Sequence, residues 1–147
     1  MSQIVTAYTG DTLQKTEAEW RTLLTPAQFR VLRSEGTEMC GTHPFNNEKR
    51  PGTFVCAGCH LPLFESKTKF ESGTGWPSFF DPIPSRLATQ TDHHIGYART
   101  EYHCARCGGH MGHVFEDGPH PTGLRYCNNG EARLFVPEGS ALPPLRN

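Results

Sequence analysis

The chain carries CAGC at residues 56–59 and CARC at residues 104–107. Two residues between the cysteines of each pair let both sulfurs face one point, and two such pairs complete a tetrahedral shell about 2.3 Å from a metal ion. A shell filled entirely by thiolate is typical of structural rather than catalytic zinc. The spacing therefore predicts that one structural Zn²⁺ joins two distant segments through Cys56, Cys59, Cys104 and Cys107.

Two other interpretations of the cysteine pairs stay open. A single C-x-x-C can be a thioredoxin-like redox pair, although no βαβ pattern surrounds either pair here. Residues 56–60 also match the haem-attachment string C-x-x-C-H through His60. The N-terminus shows no signal peptide and a second C-x-x-C is present, so zinc explains the cysteines better than haem does.

The sequence on either side predicts a mainly β chain with N-terminal helices. Thr16 followed by Glu19, and Thr25 followed by Pro26, are signals for helix starts. Beyond residue 37, short apolar or alternating runs separated by turn-rich pieces predict a small antiparallel assembly. The predicted strands cover residues 53–56, 95–98, 101–104, 114–115, 124–128 and 132–136. We expect one domain over residues 1–147, with a core at about 13–137 and a loose tail at 139–147.

The charge pattern argues against several classes of partner. The chain has 14 Lys and Arg against 15 Asp and Glu, and the basic residues are scattered. Nucleic acid and anionic membrane surfaces are therefore not expected partners, because both select a basic cluster. Neither a secretory signal nor an apolar run of about 20 residues is visible, so we expect a cytoplasmic protein. In that compartment, six cysteines indicate metal binding or catalysis rather than disulfides.

Two cysteines remain once the metal ligands are subtracted, Cys40 and Cys127. Cys127 lies in a predicted strand, where alternation would place Arg125, Cys127 and Asn129 on one face. A guanidinium beside a thiol raises the fraction of reactive thiolate, and an amide could hydrogen-bond the sulfur or a substrate. The alternative is a plain core cysteine with an arginine nearby.

Two histidines and an aromatic cluster add to the candidate site. His110 and His113 follow the second cysteine pair closely and could supply protons near neutral pH. Alternatively, His110 is a metal ligand, or both histidines are ordinary core or surface residues. Residues 72–80 read SGTGWPSFF, in which Trp76 and Phe79 could line an apolar pocket or belong to the core.

These pieces together resemble the methionine-R-sulfoxide reductase B family. The matching strings are PGTFVCAGC at 51–59, GTGWPSF at 73–79, CGGHMGHVFEDGP at 107–119 and PTGLRYCNN at 121–129. The resemblance covers about residues 13–137 and implies two antiparallel sheets behind N-terminal helices. It also implies a nucleophile at Cys127, zinc on the four paired cysteines and selectivity for the R epimer. The other implied active-site residues are Trp76, His110, His113, Asp117, Arg125 and Asn129.

Three positions depart from the family pattern. Thr74 stands where many members carry a second redox cysteine, Met111 replaces a common Leu, and Gly130 stands where Ser is usual. Because Thr74 cannot resolve an oxidised nucleophile, the resemblance directs attention to Cys40, which lies before the first cysteine pair as in some family members. Otherwise Cys40 is a bystander and an external reductant attacks directly.

The expected activity is therefore thiol-dependent reduction of methionine (R)-S-oxide, mainly in peptides and proteins. Cys127 would become a sulfenic acid and then a disulfide with Cys40, which thioredoxin reduces. Asp117 would orient a histidine or pair with Arg125. We expect a monomer. A zinc-ribbon-like binding module without catalysis and a thiol peroxidase are the alternative functions.

Overall fold

The structure is a computed structural model that describes residues 5–6, 12–34, 50–70, 78–83, 86–92 and 99–146. Cys40 and Trp76 lie outside these described residues, and so does the strand predicted at 95–98.

Two helices begin where the sequence predicts. α1 spans Glu17–Leu23 and α2 spans Pro26–Arg33. Before α1, Thr16 Oγ1 accepts from the Glu19 N–H at 3.2 Å, and Glu19 Oε1 accepts from the Thr16 N–H at 2.9 Å. An equivalent reciprocal pair caps α2. These contacts satisfy N–H groups that the first helical turn leaves unpaired, each worth about 1 kcal/mol.

The strands of the described residues form two antiparallel sheets, which confirms the predicted mainly β fold. The strands are β1 (Val5–Thr6), β2 (Gly52–Cys56), β3 (Pro62–Glu65), β4 (Lys69–Phe70), β5 (Ser78–Phe79), β6 (Leu87–Asp92), β7 (Arg99–Cys104), β8 (His110–Phe115), β9 (Arg125–Asn128) and β10 (Arg133–Pro137). Their order is β1-β6-β7-β8-β9-β5-β4 in the larger sheet and β10-β2-β3 in the smaller. Consecutive strands β6 to β9 thus form a meander at the centre of the larger sheet.

Aromatic rings join the two sheets. Phe64 of β3 stacks on Phe79 of β5 with ring centroids 4.4 Å apart, and Phe54 of β2 meets Phe79 edge-on at 5.1 Å. All three side chains are buried, and Phe79 has no exposed surface. Each such aromatic pair adds about 0.5–1.5 kcal/mol beyond its buried area. Phe79, which we expected to touch substrate, therefore supports the core beneath β5.

β8 is longer than the run predicted at residues 114–115. The prediction missed the first half of the strand, because that half contains a glycine. Gly112 lies opposite Asn128 of β9. A Cβ atom at position 112 would lie 1.9 Å from the carbonyl oxygen of Cys127. Only a residue without a side chain permits this approach, and glycine is otherwise disfavoured within strands. The hydrophobic pattern alone could not reveal that pairing.

The C-terminal segment, expected to be loose, is tied to the first cysteine pair. The Arg146 backbone N–H donates to the Cys59 carbonyl at 2.9 Å, and its Nε donates to the Gly58 carbonyl at 2.5 Å. Arg146 Nη2 also lies 3.2 Å from His60 Nε2. The tight turn at residues 57–59 leaves carbonyl groups that need donors, and a long cationic side chain supplies them.

Replacing Gly112 by Ala should destabilise the protein by about 1–3 kcal/mol, since β8 and β9 must separate to admit the methyl group. Thermal unfolding followed by circular dichroism would measure the change. Gly139→Ala is the control, because a Cβ there meets nothing within 4 Å and only its left-handed backbone (φ 89°) is penalised. A Gly112 variant as stable as the Gly139 variant would contradict the close approach.

Candidate functional site

Four buried cysteines meet at the junction of the two sheets. Cys56 ends β2 in the smaller sheet, and Cys104 ends β7 in the larger sheet. The four sulfurs of the two C-x-x-C pairs lie within 4.8 Å of one another. Two sulfur contacts cross between the pairs, Cys56 to Cys107 at 3.7 Å and Cys59 to Cys104 at 3.4 Å. These separations approach the edge of about 3.8 Å that a tetrahedron with 2.3 Å metal–sulfur bonds requires.

The chemistry of these thiols fits a bound divalent cation. Burial raises the pKa of the Cys56 thiol, whereas hydrogen bonding with Cys104 lowers the pKa of Cys59. Protons shared among buried sulfurs can support one thiolate beside its neighbours, but four adjacent thiolates need a compensating charge. A four-sulfur tetrahedral shell is suited to zinc. The predicted clustering is thus confirmed, and the site is compatible with a structural metal.

Two arginine side chains donate hydrogen bonds to backbone carbonyl groups of the cysteine cluster. Arg33 at the end of α2 donates from Nη1 to the Cys107 carbonyl at 2.9 Å. Arg106 donates from Nη1 to the Cys59 carbonyl at 3.2 Å. Four thiolates around a divalent ion carry a formal charge of about −2, which nearby cations stabilise. The Arg33 contact also ties the end of α2 to the second cysteine pair, and the Arg106 contact joins the two pairs.

A row of polar side chains crosses the larger sheet. Glu101 of β7 is the Cα partner of His113 of β8, and His113 is in turn the partner of Cys127 of β9. Cys127 is paired with Ser78 of β5. Directly opposed residues of antiparallel strands project to the same face. The row therefore places a half-buried thiol beside an imidazole, with a buried carboxylate one strand further away.

A register shift in the pairing of β7 with β8, which leaves Met111 without a partner strand residue, brings His110 to the same face as Glu101. The shift falls between Tyr102 and His103. As a result, His110 Nε2 lies 3.7 Å from Glu101 Oε2, and the His110 and His113 ring centroids are 5.8 Å apart. The other carboxylate oxygen of Glu101 lies 3.7 Å from His103 Nε2. Sequence reasoning missed Glu101 and His103 as site residues, because their placement depends on strand register.

Arg125 is held beside Cys127 by a carboxylate. Arg125 Nε and Nη2 donate to the two oxygens of Asp117 at 2.8 and 3.1 Å. This pairing raises the pKa of the Arg125 guanidinium, to which the nearby Cys127 also contributes, and lowers the pKa of Asp117. The guanidinium also covers the Phe115 ring, 4.4 Å from its centroid. Of the two partners considered for Asp117, the structure gives Arg125.

A buried polar network supports the strand that carries Cys127 from behind. Tyr102 donates from its hydroxyl to the Cys127 carbonyl at 3.3 Å and also to the Asn128 side-chain oxygen. Arg133 donates to the same Asn128 oxygen and lies 4.9 Å from the Phe64 ring centroid. Burial lowers the pKa of the Arg133 guanidinium. Tyr102, Asn128 and Arg133 were assigned no role from the sequence.

Asn129 lies just beyond β9 and is buried. Its backbone N–H and its side-chain Nδ2 both donate to the Met111 carbonyl, at 3.0 and 3.3 Å. These bonds fix the chain after Cys127 to β8, which also carries His110 and His113. Asn129 therefore helps to hold β8, which carries the two histidines, in register with β9, which carries the thiol.

Comparison with known proteins is consistent with this site. The SelR domain family matches residues 24–137. A peptide methionine sulfoxide reductase MsrB of Agrobacterium fabrum is 50% identical over 130 residues, which cover 88% of this chain and 96% of that protein. The MsrB of Pseudomonas putida is 52% identical over 130 residues, covering 88% and 98%. The MsrB of Methanosarcina mazei is 50% identical over 129 residues, covering 86% and 91%.

Within the described residues, neither helix has the length and apolar character needed to cross a bilayer. The two helices contain seven and eight residues. A bilayer-spanning helix needs about 20 predominantly apolar residues.

Replacing Cys56 by Ser should lower the metal content to below about one tenth of an equivalent and unfold much of the protein, because metal binding and folding are coupled at such sites. Elemental analysis together with a thermal melt would measure both effects. Cys127→Ser is the matched control and should keep its metal and its melting temperature. A stable, metal-free Cys56 variant would contradict a structural metal at this cluster.

Proposed function

Because the chain belongs to the peptide methionine sulfoxide reductase MsrB family, we propose that it reduces methionine sulfoxide in peptides and proteins to methionine, with selectivity for the R epimer. The observation that carries this proposal is the row formed by Glu101, His113 and Cys127, with Arg125 fixed beside it. The row combines a nucleophile, candidate acids and a cation in one place. Such a constellation suits attack on a sulfoxide, whose oxygen must be protonated as it leaves sulfur.

Cys127 is the nucleophile in this proposal. The Arg125 guanidinium, held in place by Asp117, favours the thiolate form of a neighbouring cysteine. The thiolate attacks the electrophilic sulfur of the sulfoxide. A bond forms between the Cys127 sulfur and the substrate sulfur, and the protonated oxygen leaves the substrate as water. Water then attacks the Cys127 sulfur, the sulfur–sulfur bond breaks, methionine leaves, and Cys127 becomes a sulfenic acid. The substrate sulfur gains two electrons and the Cys127 sulfur loses two.

His110 or His113 supplies the proton. Both imidazoles lie close to the buried Glu101, and His110 Nε2 is 3.7 Å from its carboxylate. A histidine donates a proton from its imidazolium form. Protonation neutralises the negative charge that develops on the sulfoxide oxygen as its bond to sulfur weakens. Trp76 packs against the methyl group of the substrate, and Asn129 keeps β8 and β9 in register around it.

Cys40 resolves the sulfenic acid. Its thiolate attacks the oxidised Cys127 sulfur, an S–S bond forms, and the oxygen leaves as water after taking up protons. A thioredoxin-type dithiol then reduces the Cys40–Cys127 disulfide and becomes a disulfide itself. The protein would act as a monomer in the cytoplasm, where such reductants keep thiols reduced.

The four-cysteine cluster binds one Zn²⁺ in this proposal. The ion supplies a permanent cross-link between β2 and β7, and it takes no part in the reaction. Its ligands are Cys56, Cys59, Cys104 and Cys107. Only Gly108 and Gly109 separate the last of these ligands from β8, so the cross-link limits where the histidines of β8 can point.

The first test supplies separate R and S epimers of a peptide-bound methionine sulfoxide to the enzyme, with NADPH oxidation coupled through thioredoxin. Turnover of the R epimer alone is expected. Cys127→Ser should abolish product formation, whereas Cys40→Ser should yield one equivalent of methionine and then stop. Product formation by the Cys127 variant would overturn the proposed nucleophile. Full cycling by the Cys40 variant would show that another reductant reaches Cys127 directly.

Asp117→Asn should lower kcat/KM by up to about 100-fold, because the released guanidinium no longer holds a fixed position beside the thiol. The same variant should alkylate more slowly at Cys127 when iodoacetamide is added at neutral pH. Glu116→Gln is the matched control, since it removes an adjacent exposed carboxylate. Equal alkylation rates in the two variants would contradict a role for the Asp117–Arg125 pair in activating the thiol.

A further inference from the structure

A second group of potential metal ligands lies within the proposed active site. Glu101, His110 and His113 each offer one ligand atom, and these atoms lie within 4.8 Å of one another. Glu101 and His110 are buried, and His113 is half-buried. The group shares no residue with the four-cysteine cluster.

The distance between these side chains is unlike that of a hydrogen-bonded pair. The His110 Nε2 to Glu101 Oε2 separation is 3.7 Å. Direct N–H···O bonds are shorter, at about 2.7–3.2 Å. Two ligands that share a tetrahedral Zn²⁺ through bonds of about 2.0–2.2 Å stand about 3.4 Å apart. The His110–Glu101 separation exceeds this ligand spacing by only a few tenths of an ångström, and the His113 ligand atom lies within 4.8 Å of both.

The geometry points to a second metal site, in which Glu101, His110 and His113 bind a borderline divalent cation such as Zn²⁺ or Co²⁺. Two imidazoles and one carboxylate form a donor set typical of zinc sites that leave a fourth position open. Imidazole ligands favour late first-row ions over Mg²⁺ or Ca²⁺, which select oxygen ligands.

An ion at this site occupies the space in front of the nucleophile. His113 is the cross-strand partner of Cys127, so the Cβ atoms of the two residues are about 5 Å apart. Coordination also removes the imidazole nitrogens from proton transfer. A bound ion would therefore compete with the sulfoxide substrate for this space and inhibit its reduction. This consequence rests on the proposed function, whereas the binding of the ion does not.

The binding test starts from a Cys40→Ser/Cys127→Ser protein whose four-cysteine cluster is loaded with Zn²⁺. In this protein every remaining cysteine belongs to that cluster. Titration with Co²⁺ should add one equivalent with visible d–d absorption but no thiolate charge-transfer band, while zinc is retained. Absence of a further equivalent, or binding only by displacement of zinc, would overturn the second site.

Ligand variants in the same background identify the binding residues. Glu101→Gln should weaken Co²⁺ binding at least tenfold, and Glu65→Gln, which changes an exposed carboxylate of β3 in the other sheet, should leave it unchanged. His113→Asn provides a second ligand variant at a half-buried position in case the buried glutamate is needed for folding. Unchanged affinity in a folded His113 or Glu101 variant would overturn the ligand assignment.

Inhibition is measured on the wild-type protein with its structural metal. Added Zn²⁺ should raise the apparent KM for the peptide sulfoxide, and a weak chelator should restore activity while structural zinc is retained. Failure of the proposed function would appear as no reduction even without added metal. Binding in the titration without any inhibition would instead overturn the blocking role alone.

Discussion

The four-cysteine cluster is the constraint on which the rest of the structure depends. It holds the end of β2, in the smaller sheet, against the end of β7, in the larger sheet. Aromatic contacts between Phe64 and Phe79 seal the same junction, but they are adaptable, whereas four sulfurs at one point fix two chain segments. Arg33 and Arg146 then fasten α2 and the C-terminal segment to the backbone of the two cysteine pairs.

The cluster is connected to Cys127 through strand pairing and side-chain hydrogen bonds rather than through direct ligation. Arg133, which begins β10, is the Cα partner of Cys56. Its guanidinium reaches Asn128, beside Cys127, and Tyr102 completes the contact to the Cys127 carbonyl. Hydrogen bonds in a buried network are electrostatically stronger than hydrogen bonds in water. The network thus gives the Cys127 strand a fixed support while the thiol itself stays half-buried.

The two faces of the Cys127 strand carry different charges. Behind it, the Arg133 cation is buried against the Phe64 ring and neutral acceptors. In front, Arg125 is paired with Asp117, and Glu101 lies one strand beyond His113. The Arg125 guanidinium can attract a thiolate at Cys127, while its pairing with Asp117 keeps the net charge of the arginine–aspartate pair near zero. The carboxylate of Glu101, close to two imidazoles, can hold either protons or a metal ion.

The sequence by itself determined the local features, because their causes lie within a few residues. The spacing within each C-x-x-C pair predicted the cysteine cluster, and Thr16 with Glu19 predicted where α1 begins. The quoted motifs also identified the family. The tertiary structure alone decided which distant residues meet. Glu101 joins His113 and Cys127 through strand register, and His110 reaches Glu101 through a one-place shift in pairing. Register arises from the summed packing of whole strands, so no short stretch of sequence encodes it.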